Sequence, residues 1–261
     1  MESSRNDGVK SKSTFWGWTV VLLIALAAAV GHAFGRFSYG VVLPAVRDDM
    51  GITNALAGSI GAANVSAYLL GTIVVAWATS RFRLASVMRL GLILVTLGLL
   101  MASLATGPWS LSAGLFLTGM GGAFLWIPSP VIAADALPDN QRHLAVGWLG
   151  SGVGLGLMCA SIVAGMLRSS EGDSSWSNVY QIQFGVGFIL LMLVLFVVRH
   201  PQDAPSGGAG IGGITALRRL PGWLPLILAY ATFGFINLLV VGFLTTRLED
   251  DSGWSLSLIH I

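Results

Sequence analysis

His32, Arg36 and Tyr39 are the side chains on which the chemistry of this 261-residue chain turns. They fall at i, i+4 and i+7 within a run, Gly31 to Asp49, that is otherwise apolar enough to cross a bilayer. An α-helix places those positions on one face. An arginine keeps its charge in a protein, so inside hydrocarbon its guanidinium must meet a protein partner, a water-filled cavity or an anionic ligand. The expected chemistry is capture of a carboxylate or similar anion by Arg36, with Tyr39 as a hydrogen-bond donor and His32 as a proton carrier. The competing structural reading has Arg36 bonded to backbone carbonyls or to another helix, and His32 as a satisfied interior residue.

Further candidates for the same cavity are Asn64 and Tyr68 in the second apolar segment, Trp126 in the fourth and Asn237 in the seventh. Pro128 and Pro130 break the helix ladder next to Trp126, a feature found beside transport sites. All 12 Asp and Glu residues fall in loops or at helix ends, so no carboxylate is expected at the membrane midplane. A proton carrier at that depth would then have to be His32 or an acid elsewhere in the protein. Asp135 and Arg142 flank the loop between the fourth and fifth segments and read as a gate or a solvated pair.

The elements that position these residues are set by composition. The chain is 54% hydrophobic and 10% charged, with a mean hydropathy of +0.78, which marks an all-α integral membrane protein surrounded by lipid. A net charge of +2 is too small to suggest a nucleic-acid partner. No metal-ligand pattern is present and no cofactor is expected. The lone Cys159 reads as a small packing residue in an apolar helix.

Seven segments reach the length of about 20 apolar residues that a spanning helix needs. They run from Trp18 to Val46, Ala55 to Thr79, Ser86 to Leu104, Trp109 to Ala134, Leu144 to Leu167, Val179 to Val198 and Leu224 to Leu244. The polar first residues are expected to be a disordered cytoplasmic tail (1–15), followed by a six-helix bundle (16–198). A Pro-, Gly- and Ser-rich cytoplasmic linker (199–221) precedes the start of a second bundle (222–261). Sorting basic residues by alternate loops puts ten inside and three outside, with Arg36 in the membrane completing the 14, so the N-terminus is expected to be cytoplasmic. The almost uniformly apolar third and sixth segments read as peripheral. The second, with Gly61, Asn64, Tyr68 and Gly71 on one face, and the fifth, with five glycines between Gly147 and Gly156, read as interior.

Internal likeness points further. AFGRFSYGVVLPAVRDDMG from Ala33 compares with TFGFINLLVVGFLTTRLEDDSG from Thr232, and more weakly with AFLWIPSPVIAAD from Ala123. First, fourth and seventh segments thus look equivalent, the pattern of two parallel six-helix halves built from inverted three-helix units. On these residues the chain resembles the major facilitator superfamily from Trp18 onward, and GHAFGRFSYGVVLPAVRDDMGITNALAGSIGAANVSAYLLGT resembles its bacterial YbfB/YjiJ-like branch. The resemblance implies a secondary transporter of the inner membrane, moving a small organic solute, expected to be an anion, by alternating access, with protons as a candidate coupling ion. It also implies gating roles for Arg81 and Arg83 in the loop after the second helix. There AWATSRFRLASVMR carries Ser80 where the superfamily has an acidic residue, which puts the usual gating salt bridge in question. The fifth helix lacks the usual Gly-Pro. A full member has twelve helices, so a chain ending at SGWSLSLIHI is expected to be a fragment or truncated product lacking about five.

Other classes fit poorly. A typical seven-helix receptor has its N-terminus outside, and a retinal protein needs a lysine in its last helix, whereas no lysine follows Lys12. No H-E-x-x-H, membrane carboxylate pair or nucleophile with its base supports an intramembrane enzyme.

Overall fold

The computed structural model describes the backbone of residues 2–197, 219 and 221–252, and side chains over 15–197, 219, 221–236 and a few later positions. The linker read at 199–221 therefore lies almost wholly outside the described residues, as does the Asn237 side chain. Helices account for every described regular element. They are α1 (Glu2–Ala28), a π-helical segment (Ala29–Phe37), α2 (Ser38–Met50), α3 (Asn54–Arg81), α4 (Leu84–Ser103), α5 (Pro108–Trp126), α6 (Ser129–Asp135), α7 (Arg142–Glu171), α8 (Trp176–Val197) and α9 (Trp223–Ser252). Short 3₁₀ turns at Asp139–Gln141 and Asp173–Ser175 open α7 and α8.

Six stretches are long and apolar enough to span a bilayer: Phe15–Met50, Asn54–Arg81, Leu84–Ser103, Pro108–Asp135, Asp139–Glu171 and Asp173–Val197. This is a multi-pass membrane protein. The first six expected spans match these with ends shifted by several residues. In α9 the apolar stretch among described residues is Trp223–Ile236, and the helix lies against α2. The N-terminal tail differs from expectation: from Glu2 it continues the first helix as α1, since extending a formed helix costs far less than nucleating one.

Connections are tight where the chain reverses. Gly51 takes a left-handed φ of 60° and ends α2, with Gly51 N–H donating to Asp48 O at 3.3 Å and Ile52 N–H to Arg47 O at 3.1 Å. Two residues later Thr53 caps α3, its Oγ1 accepting from Leu56 N–H at 3.3 Å. Proline ends α5 as the sequence suggests: the helix stops at Trp126, turns through Ile127 and Pro128, and restarts as α6 at Ser129.

The first span is the hub, with 72% of its apolar window buried. The expected division into peripheral and interior helices is corrected at α3, α4 and α7. The third span is 50% buried, while the second and fifth are only 28% and 22% buried. Lipid is as apolar as a leucine-lined interface, so an all-apolar helix need not be peripheral. Gly91 and Gly98 of α4 and Gly114 and Gly121 of α5 decide the matter, because a Cβ on any of them would press into the facing helix backbone. In α7 only alternate glycines are used: Gly152 and Gly156 lie against Ala25, Ala29 and Ala33, while Gly147, Gly150 and Gly154 face open space. Cys159, expected to be buried, is exposed and lines an apolar cleft with α1 and α8.

At one end of the bundle polar contacts tie α2, α7 and α8 together. Arg168 reaches Asp173 at 2.6 Å and Asp48 at 3.4 Å, and Trp176 Nε1 donates to Asp49 at 2.8 Å.

Candidate functional site

The π-helical segment carries three of the residues at issue and explains how they are presented. Its nine residues, AVGHAFGRF, wind more loosely than an α-helix, and Ala29–Gly35 are buried against α4, α5 and α7. Close approach to α5 is allowed by Gly31, which touches Leu125, and by Gly35, which touches Val95 and Thr118. The segment is held by Asn64 of α3, whose amide nitrogen lies 2.8 Å from Gly35 O, 2.8 Å from Leu115 O and 2.9 Å from Thr118 Oγ1.

Arg36 and His32 project into a group of aromatic rings drawn from three elements. The Arg36 Cζ sits 4.1 Å from the centre of the Tyr68 ring and 5.5 Å from that of Phe37. The His32 ring lies 4.4 Å from Trp126, tilted by 35°, and meets Tyr68 edge-on at 5.6 Å and 85°. Phe37 closes the group at 6.1 Å from His32. Cation–π attraction of this kind offsets part of the cost of keeping the arginine charge out of water. Two polar atoms here, Arg36 Nε and His32 Nδ1, are buried with no hydrogen-bond partner, and among the described residues no carboxylate pairs with Arg36. Buried polar groups are ordinarily satisfied, so such a pair of atoms in one aromatic pocket suits a ligand that accepts from a cation.

Four of the residues singled out from sequence, His32, Arg36, Tyr68 and Trp126, are thus brought together. Two others are placed differently. Tyr39 does not join the Arg36 face: its hydroxyl donates to Ala57 O at 2.7 Å, and its ring packs on Gly61 of α3. The shared face assumed α-helical turns, and the π segment rotates Tyr39 off it. Asn64 spends its donor nitrogen on the three helices it joins and is 2% exposed, so it braces the site wall. Asn237 lies outside the described side chains. Phe37 was not singled out from sequence, although its place next to Arg36 is a usable signal.

The gating candidates lie away from this pocket. Arg142 sits 3.2 Å from Asp139 and 3.8 Å from Asp135, both exposed pairs. Arg81 lies over Trp77 at 5.6 Å, Arg83 immediately precedes α4 without a side-chain capping bond, and Ser80 bonds back to Trp77 O at 2.6 Å. A serine in that position keeps its hydroxyl within its own helix turn, where a carboxylate would reach the basic loop.

Comparison with known proteins agrees with this architecture. The chain is similar to a probable 4-methylmuconolactone transporter of Cupriavidus pinatubonensis, with 26% identity over 200 residues covering 75% of this chain and 43% of the relative. It is also similar to the class B tetracycline resistance protein of Escherichia coli, with 27% identity over 183 residues covering 69% and 44%. It spans less than half the length of both. Among solved structures, an inward-facing, unoccupied bacterial homolog of the human lysosomal transporter Spinster superposes with a TM-score of 0.76 at 20% identity, covering 94% of this chain and 58% of that one. Residues 24–261 match the Major Facilitator Superfamily as a whole, and the chain belongs to that family.

Proposed function

We propose that this chain supplies the solute-binding half of a secondary transporter, and that the solute is a small organic anion moved by alternating access. The observation that carries the reading is Arg36: a guanidinium at the centre of a span, lying over aromatic rings, with its Nε unpartnered and, among the described residues, no carboxylate paired with it. The two curated relatives handle chemically different solutes, so the anionic class rests on this geometry and not on their names. The basic residues gathered in alternate loops support a cytoplasmic N-terminus, and the resemblance to a bacterial branch supports an inner-membrane location. The Gly-Arg-Phe and Leu-Pro signature supports placement in the YbfB/YjiJ-like branch. Arg81 and Asp135, where the second and fourth spans end, and Arg83 and Arg142, where the third and fifth begin, are the groups a cytoplasmic gate would use.

The test is ligand-induced stabilisation of the purified protein by a panel of organic anions. A ligand at 100 times its Kd adds about 2.7 kcal/mol to the folded state. Arg36→Ala should lose that gain for every anion while melting near wild type without ligand, and Arg36→Lys should recover only part of it, because the two-pronged donor is lost. An alanine variant stabilised as strongly as wild type would sink the anion site. His32, with Nδ1 buried beside the cation, is the group through which proton coupling would run. His32→Gln should then bind the anion but lose solute-driven proton movement in vesicles, and unchanged proton movement in that variant removes His32 from the pathway.

A further inference from the structure

The pocket says more about its solute than the sign of its charge. A chain so rich in aliphatic residues could wall an anion site with Leu, Ile and Val, yet the Arg36 guanidinium lies over the rings of Tyr68 and Phe37, and both of these meet His32, which packs in turn on Trp126. At 4.1 Å the guanidinium lies against the face of Tyr68, which favours a cation through its quadrupole and leaves the N–H edge as the part able to grip oxygens. A carboxylate held by that edge through two oxygens extends the guanidinium plane. When the carboxylate is conjugated, the body of the molecule is coplanar with it, and the whole solute continues as one flat sheet beside the rings. Trp126 has His32 on one side at 4.4 Å, and as a half-buried residue at the broken end of α5 it retains open surface. His32 Nδ1 and Arg36 Nε give the pocket two unpartnered polar atoms, one of them on a ring that is 6% exposed.

We infer that the solute is a planar, conjugated carboxylate whose oxygens are held by Arg36 and whose π face stacks in the ring group formed by Trp126, Tyr68 and His32. This rests on the anion reading above, and the two are separable with three small probes of similar size. Benzoate has both the charge and the flat π face. Cyclohexanecarboxylate has the charge on a puckered, saturated body, and benzyl alcohol has the ring without the charge.

Affinities of the purified chain for the three probes, taken from the concentration dependence of thermal stabilisation, decide the matter. Benzoate should bind roughly three- to tenfold more tightly than cyclohexanecarboxylate, the range expected of one aromatic pair beyond its area burial, and benzyl alcohol should bind far more weakly than either. Trp126→Leu should shrink the preference for benzoate without abolishing the binding of either carboxylate, Trp126→Phe, which keeps a ring, should retain it, and an undiminished preference in Trp126→Leu would remove Trp126 from the stacking group. Equal affinity of the two carboxylates for wild type would overturn the planar class while leaving the anion site standing. Benzoate and benzyl alcohol binding alike, or an Arg36→Gln variant that keeps benzoate, would overturn the anion reading and this inference with it. Failure of benzoate to stabilise a wild-type protein that cyclohexanecarboxylate does stabilise also overturns it.

Discussion

Changing Gly121 to alanine adds a single methyl group, and the structure fixes where it goes. A Cβ built there lies 2.7 Å from Gly91 O, 2.7 Å from Val95 N and 2.8 Å from Leu94 Cβ, all on α4. Two of those atoms are backbone, so no side-chain rotation relieves the contact. Restoring a separation of about 3.5 Å requires α4 and α5 to part by roughly 0.8 Å. Opening that seam also loosens the equivalent contact at Gly98, whose Cβ position lies 2.7 Å from Gly114 O and Thr118 N. Overpacking of this kind costs about 1–3 kcal/mol, against a gain of up to about 1 kcal/mol from alanine's better helix propensity. The matched control is Gly154→Ala in α7, where no atom lies within 4 Å of the added methyl, so only the propensity gain remains. The two variants should differ by about 2 kcal/mol, with Gly121→Ala below wild type and Gly154→Ala at or above it. Reversible unfolding in mixed micelles, followed by far-UV circular dichroism, measures the difference. Coincident transitions for the two variants would refute the claim that glycine contact sets the α4–α5 distance.

Two other substitutions separate bracing from binding. Asn64→Leu removes the donor shared among Gly35 O, Leu115 O and Thr118 Oγ1 and should cost about 1–2 kcal/mol of stability in the same unfolding assay; an unchanged transition would show that the amide holds nothing. Tyr39→Phe removes the 2.7 Å bond to Ala57 O and should cost about 1 kcal/mol while leaving anion affinity within twofold of wild type, whereas a tenfold loss of affinity would return Tyr39 to the binding face.

What could be read from sequence and what could not divides along physical lines. Span positions follow from hydropathy, a local property, and six of the expected spans stand within a few residues of the observed helices. The break after Trp126 follows from Pro128, because proline's missing donor acts on the turn it occupies. Burial of α4 was not readable in this way. Its apolar sequence suits lipid and protein equally, and the deciding feature is the register of Gly91 and Gly98 against Gly114 and Gly121, a relation between two segments that neither specifies alone. Tyr68, on the small and polar face of its segment, and Trp126, beside Pro128, were readable as cavity candidates, but their distances to His32 and Arg36 depend on how α3 and α5 dock on the first span.

The placement of Tyr39 shows how a small local departure redirects a site. In an α-helix each residue advances about 100°, so His32, Arg36 and Tyr39 would stand within about 60° of one another. In a π-helix, with hydrogen bonds from i to i+5, each residue advances only about 80°. His32 and Arg36 both lie inside Ala29–Phe37 and remain about 40° apart. From Arg36 to Tyr39 the chain takes one such step and two α-helical ones, which carries Tyr39 roughly 120° away from His32. That rotation separates the two roles that one α-helical face would have merged. Tyr39 turns to Ala57 and Gly61 and fastens the first span to α3, while His32 and Arg36 turn to Tyr68 and Trp126. Nothing in the residue types of AVGHAFGRF demands π winding. The winding is instead held from outside, by Asn64 reaching Gly35 O and by Leu125 and Thr118 filling the space beside Gly31 and Gly35, so the geometry of the arginine pocket is a property of three helices together.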